Sequence, residues 1–400
     1  ISFRFLALFR VYFFGNGTAS DVKPDANGKT ALSIVKTTDT FTTDAQGKAK
    51  IEFISQGKYK LVEQQQSGYV VLEGLEFEVT SAHTREHPLQ YTVSNVPTRL
   101  LIEKQCGVTK TLLTGATFQL KDKDGKIVKL TLQKDGTYQP VKEGETGAES
   151  FPVNDKGQAV ICYLPAGAYT VTELTGPVGY AISAPVTTEV GTETVLATSL
   201  GIKQTTQDAK TEDKKDDAKK ADMTAPASRV VCSDGNFLAE TSLSVVDLPL
   251  ALKISKVHAK TQKPLAGAAF QLKAADKLTI PLTFRAGSDG VLWYDAKGSV
   301  TTIQMDKNAE ALVYGLPAGK YQLEETIVPT NFFPAVPQNI EITMANTSEA
   351  PKEVVVVNTP TVKLGIDSDK FNVVIAIALT VLIGGGLGVY ALVRRKRRKQ

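Results

Sequence analysis

Three polar residue types recur at fixed spacing in this 400-residue chain. Lys104 lies 14 residues before Phe118, and Lys256 lies 14 before Phe270. Phe118 precedes Glu173 by 55 residues, and Phe270 precedes Glu325 by 55. Each set closes on Asn or Asp, one residue, then Pro: Asp247 in "VVDLP" and Asn358 in "VVNTP". Every member lies in phase with apolar neighbours: Leu100, Ile102 and Lys104; Tyr169, Val171 and Glu173; Val356 and Asn358. Alternate strand residues share a face. If the aliphatic phase is the core phase, each set points a lysine, a glutamate and an Asn or Asp inward.

Unpaired charges buried this way cost several kcal/mol each. One reading is a buried salt bridge with an amide partner. The other is chemical. Desolvation lowers a lysine pKa and raises a glutamate pKa. A neutral amine is a nucleophile, and a protonated Glu that hydrogen-bonds a carboxamide polarises its carbonyl. Attack then yields an isopeptide bond, releasing ammonia from Asn or water from Asp, with the Glu as acid and proton shuttle in one turnover. Lys253 is a rival for Lys256 but falls on the opposite strand face.

The elements that hold these residues form an internal repeat. "TGATFQL" around Phe118 matches "AGAAFQL" around Phe270, and "LPAGAYTVTEL" matches "LPAGKYQLEET", all at an offset of 152 residues. A third copy lies upstream. Phe9 precedes Glu63 by 54 residues, and Asn95 in "VSNVP" ends it. Its lysine would fall before residue 1, so Glu63 and Asn95 form an incomplete set, and the chain reads as a fragment or a processed product. Short alternating segments divided by "KDGT", "NDKG", "DAQG" and "GSDG" predict antiparallel β-sandwiches.

The expected architecture is all-β: three tandem Ig-like sandwiches over residues 1–97, 98–249 and 250–360. The second carries a charged insertion over 203–240, containing "DAKTEDKKDDAKKAD", which reads as a solvated loop. Residues 371–393 are 23 uncharged residues, long enough for a single transmembrane helix. The basic tail 394–400 is then cytoplasmic and the repeats lie outside. The formal net charge of +4 comes from that tail, which holds six of the 46 basic residues; the rest balances 40 basic against 42 acidic residues. This argues against a nucleic-acid partner. Three cysteines, Cys106, Cys162 and Cys232, allow one disulfide without fixing the pair. His83 and His87 in "HTREH" lie in text that reads as strand and loop, so no metal is expected. Trp293 reads as packing in preference to ligand contact. No phosphate loop, nucleophile elbow or CxxC motif occurs, and no cofactor or turnover enzyme is implied.

The "GAxFxL", "LPAGxYxxxE" and final Asn/Asp-x-Pro elements resemble those of the prealbumin-like, Cna B-type (SpaA-type) domains of Gram-positive surface proteins and pilins. The resemblance covers nearly all of residues 1–360. It implies Lys104–Asp247 and Lys256–Asn358 isopeptide bonds assisted by Glu173 and Glu325. It also implies a cell-surface structural role as a stalk, minor pilin or adhesin stem, with pilus subunits or cell wall as partners. The span and basic tail resemble a sorting signal, but "NTPTVKLGIDSDKF" lacks Leu-Pro-x-Thr-Gly, so a plain membrane anchor is expected. The Trp-containing pilin motif with its polymerising lysine is also missing, which argues against a shaft pilin. Two alternatives remain: an adhesin that binds a host or matrix ligand through its first or inserted region, and accessory domains of a secreted enzyme.

Overall fold

The computed structural model describes residues 8–14, 34–44, 48–49, 51, 56–64, 66–73, 75–84, 86–90, 95–142, 144–192, 194–196, 228–233, 236–287 and 289–361. The apolar run 371–393, the tail 394–400 and most of the charged insertion lie outside these residues. Among the described residues the regular structure is all strand, and no helix is long and apolar enough to cross a membrane.

The second and third units share one plan of two sheets. In the second unit the opening strand Thr98–Cys106 pairs in parallel with the closing strand Asn236–Asp247 and antiparallel with Gln158–Cys162. The facing sheet pairs Thr117–Asp122 with the glutamate strand Gly167–Thr175. In the third unit Ala251–His258 runs parallel to Lys352–Asn358, and Ala269–Ala274 pairs with Gly319–Ile327. Between the sheets lie Leu100, Ile102, Phe118, Leu120, Phe151 and Ile161 in one unit. Leu252, Ile254, Phe270, Leu272, Phe284 and Val313 fill the other. Val, Ile, Tyr and Phe at alternate positions suit a pleated surface buried on one side.

The first unit supplies a four-stranded sheet: Ile34–Thr42, Leu8–Phe14, Gly57–Glu63 and Leu75–Val79. Phe9 pairs with Glu63, as Phe118 pairs with Glu173 and Phe270 with Glu325. The same cross-strand pair thus marks all three units.

Two features lie beyond the expectations from sequence. The closing strand of the second unit starts at Asn236, inside the segment read as insertion, and forms a hairpin with Ser228–Ser233. The "LPAGxY" turn is held by its tyrosine: the Tyr169 hydroxyl donates to the Pro165 carbonyl at 2.7 Å, and Tyr321 to Pro317 at 2.6 Å. Cys106 and Cys162 are free thiols. The stretch with His83 and His87 is turn and bend. Trp293 is buried, with Tyr314 edge-on at 5.1 Å.

Candidate functional site

In the opening strand Thr98–Cys106 the residues Leu100, Ile102 and Lys104 are all buried, so the aliphatic phase is the core phase. Lys104 is 0% exposed, deeper than many aliphatic residues of the core. Its amine donates to Glu173 Oε2 at 2.8 Å and makes an ion pair with Asp247 Oδ1. It also lies 5.9 Å from the centre of the Phe118 ring. The parallel register sets Val245 opposite Lys104, so Asp247 ends its strand just past the lysine. A register shift between Glu173 and Thr175 leaves an extra residue beside the glutamate. Such a bulge re-aims the neighbouring side chain. Glycine at 176 keeps the chain slim here: a β-carbon would sit 3.3 Å from both Asp247 Oδ2 and Glu173 Oε1.

Burial pushes the Asp247 carboxyl up to about 7; Lys104 pulls against this, and Glu173 adds to it. The neutral acid is therefore well populated near neutrality, and it is the form from which water can leave. Ser183 closes the site by donating its N–H and its hydroxyl to Glu173 Oε2, each at 3.1 Å.

The third unit repeats the constellation with an amide. The Lys256 amine contacts Asn358 Oδ1, donates to the Val356 carbonyl at 3.4 Å and lies 3.6 Å from Glu325 Oε1. Asn358 Nδ2 donates to both Glu325 oxygens at 3.0 Å, and the Ala335 N–H donates to Oε2 at 2.7 Å. Burial lowers the Lys256 pKa, favouring the nucleophilic free amine. The expected hydrogen bond between the glutamate and the carboxamide runs through the amide nitrogen: Asn358 Nδ2 faces Glu325, and the carbonyl oxygen faces the amine. Lys253, the rival, pairs with Glu310 at the surface at 3.0 Å.

In the first unit Glu63 is buried, with Asn95 beside it. Burial pushes its carboxyl up to about 7, and Asn95 opposes the shift. Six residues singled out by spacing thus come together as two complete triads, and Glu63 with Asn95 as a pair. Ser183 and Gly176 carried no sequence signal. Neither residue type is unusual for a loop, and the serine has no counterpart hydroxyl in the third unit, where Ala335 stands at the same offset.

The family model described as the SpaA prealbumin-like fold domain matches residues 9–92, 98–206 and 251–360. The chain belongs to this family. No curated protein matches the sequence. Similar solved structures include the shaft pilin SpaA of Lactobacillus rhamnosus GG, at 16% identity over 66% of this chain and 98% of that one, with a TM-score of 0.28. A streptococcal ancillary pilin is 18% identical over 89% of this chain and 93% of its own, with a TM-score of 0.29. The minor pilin GBS52 of Streptococcus agalactiae is 14% identical over 68% of this chain and 99% of its own, with a TM-score of 0.26. The family model, and not these distant likenesses, carries the assignment. It places a prealbumin-like domain on each unit that holds a glutamate site.

Among the described residues no group of three or more His, Cys, Asp or Glu side chains is arranged to hold a metal ion. The chemistry open to the two prealbumin-like triads is acyl transfer between their own side chains. In such a transfer the lysine would be the nucleophile, the Asn or Asp carbonyl the electrophile, and the glutamate the proton carrier.

Proposed function

We propose that the chain is a cell-surface structural protein, a stalk, minor pilin or adhesin stem, whose second and third units are each closed by an autocatalytic isopeptide bond. Lys256 bonds to Asn358 with loss of ammonia, and Lys104 bonds to Asp247 with loss of water. Glu325 and Glu173 accept the proton from the attacking amine and return it to the leaving group. The single observation that carries this reading is the burial of two lysines with side-chain exposure of 0%, each in contact with both an acyl partner and a glutamate. A plain buried ion pair does not call for an asparagine as the contact of Lys256. Bond formation replaces the buried amine by a neutral amide and so removes the cost of desolvating a charge.

The surface location rests on the family and on the apolar run 371–393, which would anchor the chain with its repeats outward. Pilus subunits or cell wall are the partners this role implies.

Intact mass tests the chemistry. The folded chain should fall short of its sequence mass by one ammonia plus one water. Glu325→Ala should restore the ammonia, and Glu173→Ala the water. A full sequence mass for the wild-type chain overturns the proposal.

A further inference from the structure

Residues 176–183, which follow the glutamate strand of the second unit, touch two things at once. At their far end Ser183 gives two hydrogen bonds to Glu173 Oε2. A few residues earlier the same segment meets the first residue of the third unit. The Leu250 N–H donates to the Gly179 carbonyl at 2.8 Å, and within the second unit the Ala181 N–H donates to the Leu248 carbonyl at 2.9 Å. Leu250 is fully buried in the third unit's core, where Ala181 also packs, and its own carbonyl accepts from the Gly315 N–H at 2.8 Å. Gly179 has φ of +85°, and a β-carbon there would run into the Gly315 carbonyl. Tyr180 lies beside Cys106, which is the strand-register partner of Asp247. Only Leu248 and Pro249 separate Asp247 from Leu250. Both the glutamate and the acyl partner of the second site are therefore tied to the seam between units.

The third site is built differently. Ala335 occupies the position of Ser183 and gives only its N–H to Glu325. The backbone bonds of the seam recur there: Thr361 N–H donates to the Asn331 carbonyl, and Phe333 N–H to the Thr359 carbonyl. Phe333, the counterpart of Ala181, is 55% exposed.

We propose that Ser183 is a positioning residue for the Glu173 carboxylate and that docking of the third unit sets it in place, so that the Lys104–Asp247 bond closes once the third unit has folded. This deepens the function proposed above and rests on it. In the step concerned, the Lys104 nitrogen bonds to the Asp247 carboxyl carbon and the carbon–hydroxyl bond breaks. The proton shed by the amine passes through Glu173 to the leaving hydroxyl, and one water departs. Glu173 must face the amine and the carboxyl in turn without changing rotamer, and two donors on one oxygen hold it so. The asparagine site holds its glutamate through Asn358 itself and does without the hydroxyl.

The test refolds the full chain from an unfolded, uncrosslinked state, quenches samples over time and reads each crosslink by mass spectrometry of digests. Ammonia release in the third unit is the internal control. Ser183→Ala should slow water release about tenfold, the worth of a hydrogen bond to a charged group, and leave ammonia release unchanged. Ser183→Thr should restore the rate. Gly179→Ala, which forces the seam apart, should slow the same step. The double variant should be no slower than the slower single, because both act through one contact. Phe270→Asp lies wholly within the third unit's core and leaves the second unit's sequence intact; water release should slow there too. Water release at the wild-type rate in Ser183→Ala, Gly179→Ala or Phe270→Asp overturns the inference, as do single effects that multiply in the double. A wild-type chain that releases neither water nor ammonia overturns the underlying function instead.

Discussion

Glu325→Gln isolates the chemistry from the packing. Glutamine fills the same volume and can still accept a hydrogen bond from Asn358, but it cannot carry a proton between Lys256 and the leaving nitrogen. The variant should fold and keep its ammonia. Lys256 and Asn358 are 102 residues apart. Closing a loop of that length removes unfolded-chain entropy worth about 5 kcal/mol. A domain of this size shifts its midpoint by roughly 4 °C per kcal/mol, so the third unit should lose about 20 °C. The chain's single tryptophan, Trp293, is buried in this unit, so tryptophan fluorescence follows its unfolding alone. Intact mass scores the bond on the same samples. A Glu325→Gln chain that is short by one ammonia would refute the catalytic role of the glutamate. A chain that keeps its ammonia yet melts within about 3 °C of wild type would refute the closure-entropy reasoning.

The remaining predictions concern the other two units. Asp247→Asn should change the mass released by the second unit from one water to one ammonia, because the lysine and glutamate are already in place. Refolding across pH should show water release slowing as pH rises through about 7, where Asp247 becomes the unreactive carboxylate, while ammonia release lacks that limb. Glu63 binds its proton more tightly folded, near 7, than unfolded, at 4.5, so no penalty exists below 4.5 and the full one exists above 7. The first unit should accordingly lose about 3 kcal/mol of stability between those values, and Glu63→Gln should flatten the profile in chemical denaturation.

The triads were legible in sequence because strand periodicity and repeat spacing act together. A glutamate two residues beyond a core valine, as in Tyr169, Val171 and Glu173, shares their face whatever the rest of the domain does. The offset of 152 then ties that face to Lys104 upstream and separates Lys256 from Lys253 by phase. The seam was not legible. Gly179 acts through one backbone bond to Leu250 and Ala181 through packing on the third unit's core, and such contacts leave no periodicity. The start of the closing strand at Asn236 was hidden because "NFLAETSLSVVD" follows a long charged segment and its first residues mix polar and apolar types. The orientation of the Asn358 amide follows from packing against Glu325 and Lys256, and no one-dimensional pattern encodes it.

The placement of the triads answers a mechanical question. Tension along a tandem array enters each unit at its opening strand and leaves at its closing strand, and here those strands are parallel neighbours. Parallel strands pulled from opposite ends load their hydrogen bonds in shear, and those bonds alone would have to bear it. The proposed link from Lys104 to Asp247 would carry the load from the seventh residue of the opening strand directly to the last residue of the closing strand. Everything between, including the charged insertion, would be taken out of the load path. The insertion can then be long without weakening the unit, because its loop entropy counts only if the strands part. The load next crosses Leu248 and Pro249 into Leu250, which is anchored in the third unit's core. The proposed crosslinks would leave that stretch unprotected, and the Gly179–Leu250 backbone bond spans it.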